Sequence, residues 1–479
     1  MRQTKGFKRA ISVFLTVSIL AGICGCAKTN TKDAEKAQIE PMEIEEAVNY
    51  SMDAIGGEDV MPIMGFYGPV PSEFSYNGNA LPDYFTEEFY QLVADTGINM
   101  IGTTLANYGT VPSYVKKSLE LGEKVGLGIL VQDKRILSND LTLEEVDEMT
   151  HEYTDYSSFA GVFMVDEPGA VYFRDHENGT NIDEFDTISK NLKELGFYVY
   201  ENLLGMHATD TYTEEDVEAY TRYMRDWVKH VNPQALYYDR YIFEDNEGLK
   251  MGKKYFKNME ICRSVAEESG IPFWTYIEAG QQFTDKGAKF DTEAYFPSRG
   301  EFMWNVGTAL AFGTKGILYF PLIQPIFYAY AESTPFDFQR NGLIGAWGNK
   351  TRWYYYAQDM NAQIAATDEI LMHAVNKGVI ASGEQANEHL SDCQYLMKGK
   401  AWREIADVTG DAMIGCFNYK GKTALYVVNY DIEYAQKITL DFVDTYNMTI
   451  IQNAETTHTS CSSLELTFAA GESALIVIE

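Results

Sequence analysis

The chain has 479 residues, more than one small core accommodates, so a large domain with an appendage or two domains is expected. Its 38 basic and 70 acidic residues give a formal charge of -32, which repels phosphate backbones and excludes nucleic acid as a natural partner. The hydrophobic fraction of 46% is that of a packed globular protein.

The first residues, "MRQTKGFKRAISVFLTVSILAGICGCAKTN", place a basic segment before an apolar core and small residues before a cysteine, the pattern of an export signal. Cys24 follows bulky Ile23, whereas Cys26 follows Gly25, and processing requires a small residue before the cut. The stretch resembles a bacterial lipoprotein signal. That resemblance implies a signal peptide over 1–25, Cys26 as the lipidated residue, and a body held at the cell surface by its lipid anchor. A plain secretory signal or an uncleaved anchor is the alternative. No later stretch offers about 20 uninterrupted apolar residues, so membrane contact is expected through the anchor only. Residues 26–57 are polar and charge-rich and predict a flexible linker.

From residue 61, short apolar runs alternate with stretches of helical period. The runs are "PIMGFYG" (62–68), "INMIGTT" (98–104), "LGILVQD" (127–133), "GVFMVDE" (161–167), "FYVYENL" (197–203), "ALYYDRYIF" (235–243), "PFWTYIE" (272–278) and "GILYFPL" (316–322). Thr142 and Thr213 open capping patterns, and a stripe of Val217, Tyr220, Met224, Trp227 and Val231 predicts a helix over 214–231. Gly97, Gly126, Gly196 and Gly270 stand where left-handed helix ends are wanted. Strands alternating with helices pair in parallel through right-handed crossovers. The α/β alternation therefore predicts a (β/α)8 TIM barrel over 58–380, with its last helix at 352–374. No glycine-rich phosphate loop follows the first strand, against a dinucleotide fold. After about residue 385 the period changes to two, in "TALYVVNYD", "KITLDFVD" and "LELTFAAGESALIVIE", which predicts a small C-terminal antiparallel β-sandwich over 385–479.

A parallel barrel displays its chemistry at the C-terminal ends of its strands. Glu167 closes the fourth predicted strand and Glu278 the seventh, and these ends face one another across the barrel mouth. Two carboxyl groups so placed can divide acid and base work on a glycosidic bond. With Asp166-Glu167-Pro168 in place of an Asn-Glu-Pro pattern, Glu278 closing strand seven, "KGILYFPL" at strand eight and a β appendage, the chain resembles the large clan of retaining (β/α)8 glycoside hydrolases. The resemblance implies Glu167 as acid/base, Glu278 as nucleophile, a carbohydrate substrate and no cofactor. Asp166 departs from the clan's Asn: it accepts hydrogen bonds but donates no amide N–H. Its charge would also help keep Glu167 protonated.

Asp239, closing the sixth run, is an alternative partner for Glu167, or belongs to an ion pair with an arginine. Glu201, Asn202, Tyr67 and Asp133 are further pocket candidates at strand ends. Trp274, Tyr276, Trp304, Tyr319 and Trp347 are candidate sugar platforms, because sugar C–H faces stack on rings; the competing reading for each is a core aromatic. The histidines lack paired-ligand spacing, so no metal is expected, and no G-x-S-x-G elbow is present. Cys262, Cys393, Cys416 and Cys461 leave a Cys393–Cys416 disulfide open. A non-catalytic surface protein that binds glycans is the rival reading. Oligomeric state is not legible.

Overall fold

Seven of the eight predicted runs become strands: β1 (Ile63–Gly65), β2 (Met100–Gly102), β3 (Gly128–Val131), β4 (Phe159–Asp166), β5 (Val199–Asn202), β6 (Thr275–Glu278) and β7 (Ile317–Phe320). The structure is a computed structural model that describes residues 45–70, 75–76, 79–102, 111–168, 182–206, 217–243, 252–280, 297–324 and 342–479. Cys26, most of the predicted linker, the Thr213 cap and most of the aromatic loop before Gly342 lie outside them. The seven strands form one parallel sheet in the order β5-β4-β3-β2-β1-β7-β6.

Helices follow the strands as crossovers require: α1 (Glu87–Ala94), α2 (Pro112–Val125), α3 (Leu143–Thr154), α4 (Ile182–Glu194), α5 (Val217–Val231), α6 (Gly252–Ser269), α7 (Arg299–Phe312) and α8 (Arg352–Ala365). Thr142 and Glu145 form the expected capping box of α3. Gly97, Gly126, Gly196 and Gly270 all take positive φ. The expected helix over 352–374 breaks at Ala366 and resumes as a short helix, Asp368–His373.

The sixth run, 235–243, is not a strand. A single bridge joins Leu236 to Phe273, and the Asp239 N–H donates to the Leu203 carbonyl at 3.1 Å, so the stretch lies in the gap between β5 and β6. Its backbone leaves the ladder because other groups take its donors. The Glu278 carboxylate accepts from the N–H groups of Ile242 and Phe243.

Alternation along the strands sorts the core into two layers. Met64, Phe66, Met100, Leu130, Phe163, Tyr198, Tyr200, Tyr237, Trp274, Tyr276, Leu318 and Phe320 fill the inside of the curled sheet. Ile101, Ile129, Val162, Met164, Val199, Ile277, Ile317 and Tyr319 face the helices. β4 breaks the alternation. Its register against β5 shifts between Phe163 and Val165, so Met164 and Val165 both pack outward and Asp166 turns inward to meet Asn202. Such a bulge re-aims a side chain. At the start of β4, Gly161 has φ +136, and an added Cβ would lie 2.3 Å from the Tyr198 carbonyl oxygen, so only glycine fits there.

Residues 45–57, expected within the flexible linker, instead pack on the barrel. Met52 and Ile55 join the inner core, Tyr50 lies 4.7 Å from the Tyr198 ring, and the Asn49 side chain donates to the Met372 carbonyl. They close the end of the sheet opposite the acids.

The C-terminal part is one hydrogen-bonded antiparallel sheet rather than the expected pair of stacked sheets: β8 (Val375–Ser382), β9 (Ile405–Thr409), β10 (Ala412–Tyr419), β11 (Lys422–Asn429), β12 (Gln436–Gln452), β13 (Glu455–Phe468) and β14 (Ser473–Ile478). Long β12 pairs with β13 along one edge and, along the other, with β9 through its first half and β14 through its second, so a single sheet encloses its own core of Ile414, Leu425, Ile438, Leu440, Ile450 and Ile476. Its first strand starts at Val375, inside the range expected for the barrel. Its other face packs on α7, where Gly415 meets the Ala311 carbonyl closely enough that an added Cβ would lie 2.2 Å away. All four cysteines from Cys262 onward are free, so no Cys393–Cys416 bridge forms. Among the described residues no helix is long and apolar enough to cross a membrane.

Candidate functional site

The C-terminal rim of the parallel sheet gathers carboxyl groups. Asp166 and Glu167 end β4 exposed to solvent, whereas Asp239, in the stretch beside β5, and Glu278, ending β6, are buried. Glu167 has φ +48, a left-handed conformation that costs a non-glycine residue about 1 kcal/mol. Its N–H donates to the Asn202 carbonyl at 2.9 Å. The bulge and this left-handed turn together let two successive acids serve one mouth.

Asp239 is hydrogen-bonded to the Glu167 side chain, and its Oδ1 accepts from the Gly205 N–H at 3.2 Å. Burial, then the Glu167 charge and hydrogen bond, then the Asp166 charge, raise its carboxyl well above the usual range, against the Gly205 contact. These effects favour its protonated form, which can donate to Glu167. Asp166 accepts from Asn202 Nδ2 at 3.1 Å. Protein crowding and then the Glu167 charge push Asp166 up to about 7, against the Asn202 bond; water at the mouth moderates the cost of charging it.

The sign of the Asp166 effect makes a prediction. A carboxyl raised on folding costs nothing while protonated and destabilises the fold as pH climbs from about 4, its unfolded value, through about 7. Asp166→Asn should therefore leave the thermal midpoint at pH 4 unchanged and raise it at pH 8, as read by scanning calorimetry.

Glu278 is wholly buried. Its Oε2 accepts from the Ile242 N–H at 3.0 Å and the Phe243 N–H at 2.8 Å, and such donors stand in for the water that a buried carboxylate gives up. Beneath the acids, the hydroxyls of Tyr200 and Tyr276 hydrogen-bond to each other, and both feel the Asp166 charge. Phe320 joins this wall, with Tyr241 at 5.1 Å and Tyr67 at 5.5 Å between ring centroids.

The structure thus brings Asp166, Glu167, Asn202, Asp239, Glu278, Tyr276 and Tyr67 to one end of the barrel. It turns several other candidates away from it. Glu201 points outward from β5 toward Trp227 on α5, and burial raises it to about 8 against the opposing pull of Lys193 and the nearby Trp227 indole. Tyr319 also faces outward, donating to Asn361 Oδ1 at 2.7 Å and stacking on Phe302. Trp274 fills the closed end of the barrel, 5.0 Å from Tyr237, where Gly316 leaves room for its indole. Trp304 packs against Tyr430 of the C-terminal sheet. Asp133 is held by Arg135 and Tyr153. Trp347 is 47% exposed on the loop after β7. Phe66, Phe320, Tyr241 and Tyr200 were missing from the candidates, although alternation with Met64, Leu318 and Tyr198 marks three of them as inward. Among the described residues no group of three or more His, Cys, Asp or Glu side chains is arranged to hold a metal.

No family profile and no curated protein matches the sequence. Among solved structures, the chain is similar to an α-amylase from Geobacillus thermoleovorans in complex with acarbose, at TM-score 0.48 and 8% identity over 88% of this chain and 98% of that one. It is similar to a glycoside hydrolase family 5 mannosidase from Rhizomucor miehei at TM-score 0.43 and 11% identity, over 68% and 99%. It is also similar to a β-galactosidase from the psychrophilic Marinomonas ef1 at TM-score 0.44 and 10% identity, over 72% of this chain and 66% of that enzyme.

Proposed function

We propose that this protein hydrolyses glycosidic bonds of an extracellular oligo- or polysaccharide with retention, using a (β/α)8 barrel in which Glu167 is the acid/base and Glu278 the nucleophile. The observation that carries the proposal is the unlike housing of two acids on one rim. Glu278 is buried and anchored by two backbone N–H groups, which suits a fixed attacking carboxylate. Glu167 is open to solvent and shares a hydrogen bond with another carboxyl, which suits a group that must give up and regain a proton.

In the first step Glu278 attacks the anomeric carbon while Glu167 protonates the glycosidic oxygen, so the C–O bond breaks and a glycosyl ester forms. Glu167, now a carboxylate, then takes a proton from the water that displaces Glu278. Two displacements restore the original configuration. The wall of Tyr67, Tyr241 and Phe320 offers apolar ring faces to the sugar. The test is a panel of aryl glycosides and oligosaccharides, with the first-formed anomer read by proton NMR. Release of the substrate's own anomer supports the proposal. The opposite anomer sinks retention, and binding without cleavage across the panel favours the glycan-binding reading.

We further propose that Cys26 carries the lipid that holds the chain at the cell surface, supported by Gly25 before it and the apolar run upstream. Cys26→Ser should move the protein from the detergent phase to the aqueous phase on Triton X-114 partition. Unchanged partition would refute the anchor.

A further inference from the structure

We propose that Asp239 is a positioning residue for Glu167, holding it through a proton shared between the two side chains. The inference rests on the reading of Glu167 as acid/base. Asp239 is fixed on three sides: it is 3% exposed, its N–H donates to the Leu203 carbonyl at 3.1 Å, and its Oδ1 accepts from Gly205 at 3.2 Å. Glu167 is anchored through its backbone by Asn202, while its side chain stands exposed at the rim. An exposed acid beside a fixed one is oriented by the hydrogen bond between them, and two carboxyls in such contact favour sharing a proton.

The other titratable groups facing Asp239 sharpen this. Asp166 approaches from β4 and Tyr200 from β5. On the far side Glu278 takes the N–H groups of Ile242 and Phe243 in the same stretch as Asp239. Asp166 and Glu167 oppose a further negative charge, so a proton stays with the pair as pH rises. When the glycosidic C–O bond breaks, the proton on Glu167 passes to the leaving oxygen; if the shared proton sits on Asp239 at that moment, it moves first to Glu167. The pair then holds none and recovers one from the water of the second step.

Asp239→Asn keeps a donor to Glu167 but no exchangeable acid, and Asp239→Ser serves as a second variant should the first fail to fold. Both are compared with wild type on a phenyl glycoside and a 2,4-dinitrophenyl glycoside of a sugar that wild type cleaves. The alkaline limb of kcat/KM on the phenyl glycoside should fall by roughly one pH unit, a loss that approaches about tenfold at pH values above the wild-type limb. The dinitrophenyl glycoside, whose leaving group departs without a proton, should keep its rate. Equal losses on both substrates, or an unmoved alkaline limb, would overturn the role of Asp239. Full activity of Glu167→Gln on the phenyl glycoside would instead overturn the acid/base reading itself.

Discussion

Replacing Glu278 with alanine should lower kcat by about four orders of magnitude, an effect of the size expected when a covalent nucleophile is removed rather than a binding contact. The buried site makes the loss specific. Two backbone N–H groups, from Ile242 and Phe243, are dedicated to this carboxylate. The variant leaves a cavity that a small anion can enter. Added azide should restore turnover by attacking the anomeric carbon from the vacated side, and a single displacement then yields the glycosyl azide of inverted configuration. Absence of rescue on a 2,4-dinitrophenyl glycoside, together with a rate near wild type, would remove Glu278 from the chemistry and return attention to Asp239. Asp239 is a poor nucleophile in this structure, because burial and its acidic neighbours favour its protonated form.

The fold was legible where local rules act alone. Short apolar runs located seven strands, and Thr142 and the four helix-ending glycines marked boundaries, because capping and positive φ are decided within a few residues. The run 235–243 misled for the opposite reason. Its composition is that of a strand, but Glu278, distant in sequence, claims the donors at Ile242 and Phe243, and no local pattern reports such a contact. The single C-terminal sheet was hidden likewise, since β12 pairs with different strands along its two halves and alternation alone does not say whether a strand bends between neighbours.

The site followed the same division. The position of Glu167 and Glu278 at strand ends was readable from the runs. Which side of the sheet each neighbour faces was not, wherever a bulge intervened. Strict alternation from Phe163 would point Val165 inward and Asp166 outward, and the register shift in β4 reverses both. Along β5 and β7 no bulge intervenes. There, alternation from Tyr200 and Phe320 already assigns Glu201 and Tyr319 to the helix side, and the error was to weigh residue type above parity. Trp274 failed as a platform because it lies at the closed end of the barrel, a matter of height along the strand.

Glu167→Gly should separate catalysis from stability. Glycine meets no penalty at φ +48, and removing the carboxyl relieves its repulsion with Asp166. These gains exceed the entropy that glycine loses on folding, so the variant should unfold at higher temperature, with a gain of up to about 1 kcal/mol. Activity should move the other way. On glycosides with sugar or phenyl leaving groups the rate should fall by about 10² to 10⁴-fold, the span of general acid catalysis. On a 2,4-dinitrophenyl glycoside the first step needs no proton, so a burst of phenolate should precede slow release of the glycosyl ester, which lacks its base. Azide, which needs no base, should hasten that release and give the glycosyl azide of retained configuration, opposite to the product from Glu278→Ala. A less stable variant with a uniform loss across leaving groups would show that Glu167 is a structural acid. A more stable variant with a leaving-group-dependent loss would show that the strain and crowding at the end of β4 are maintained for the proton that Glu167 transfers.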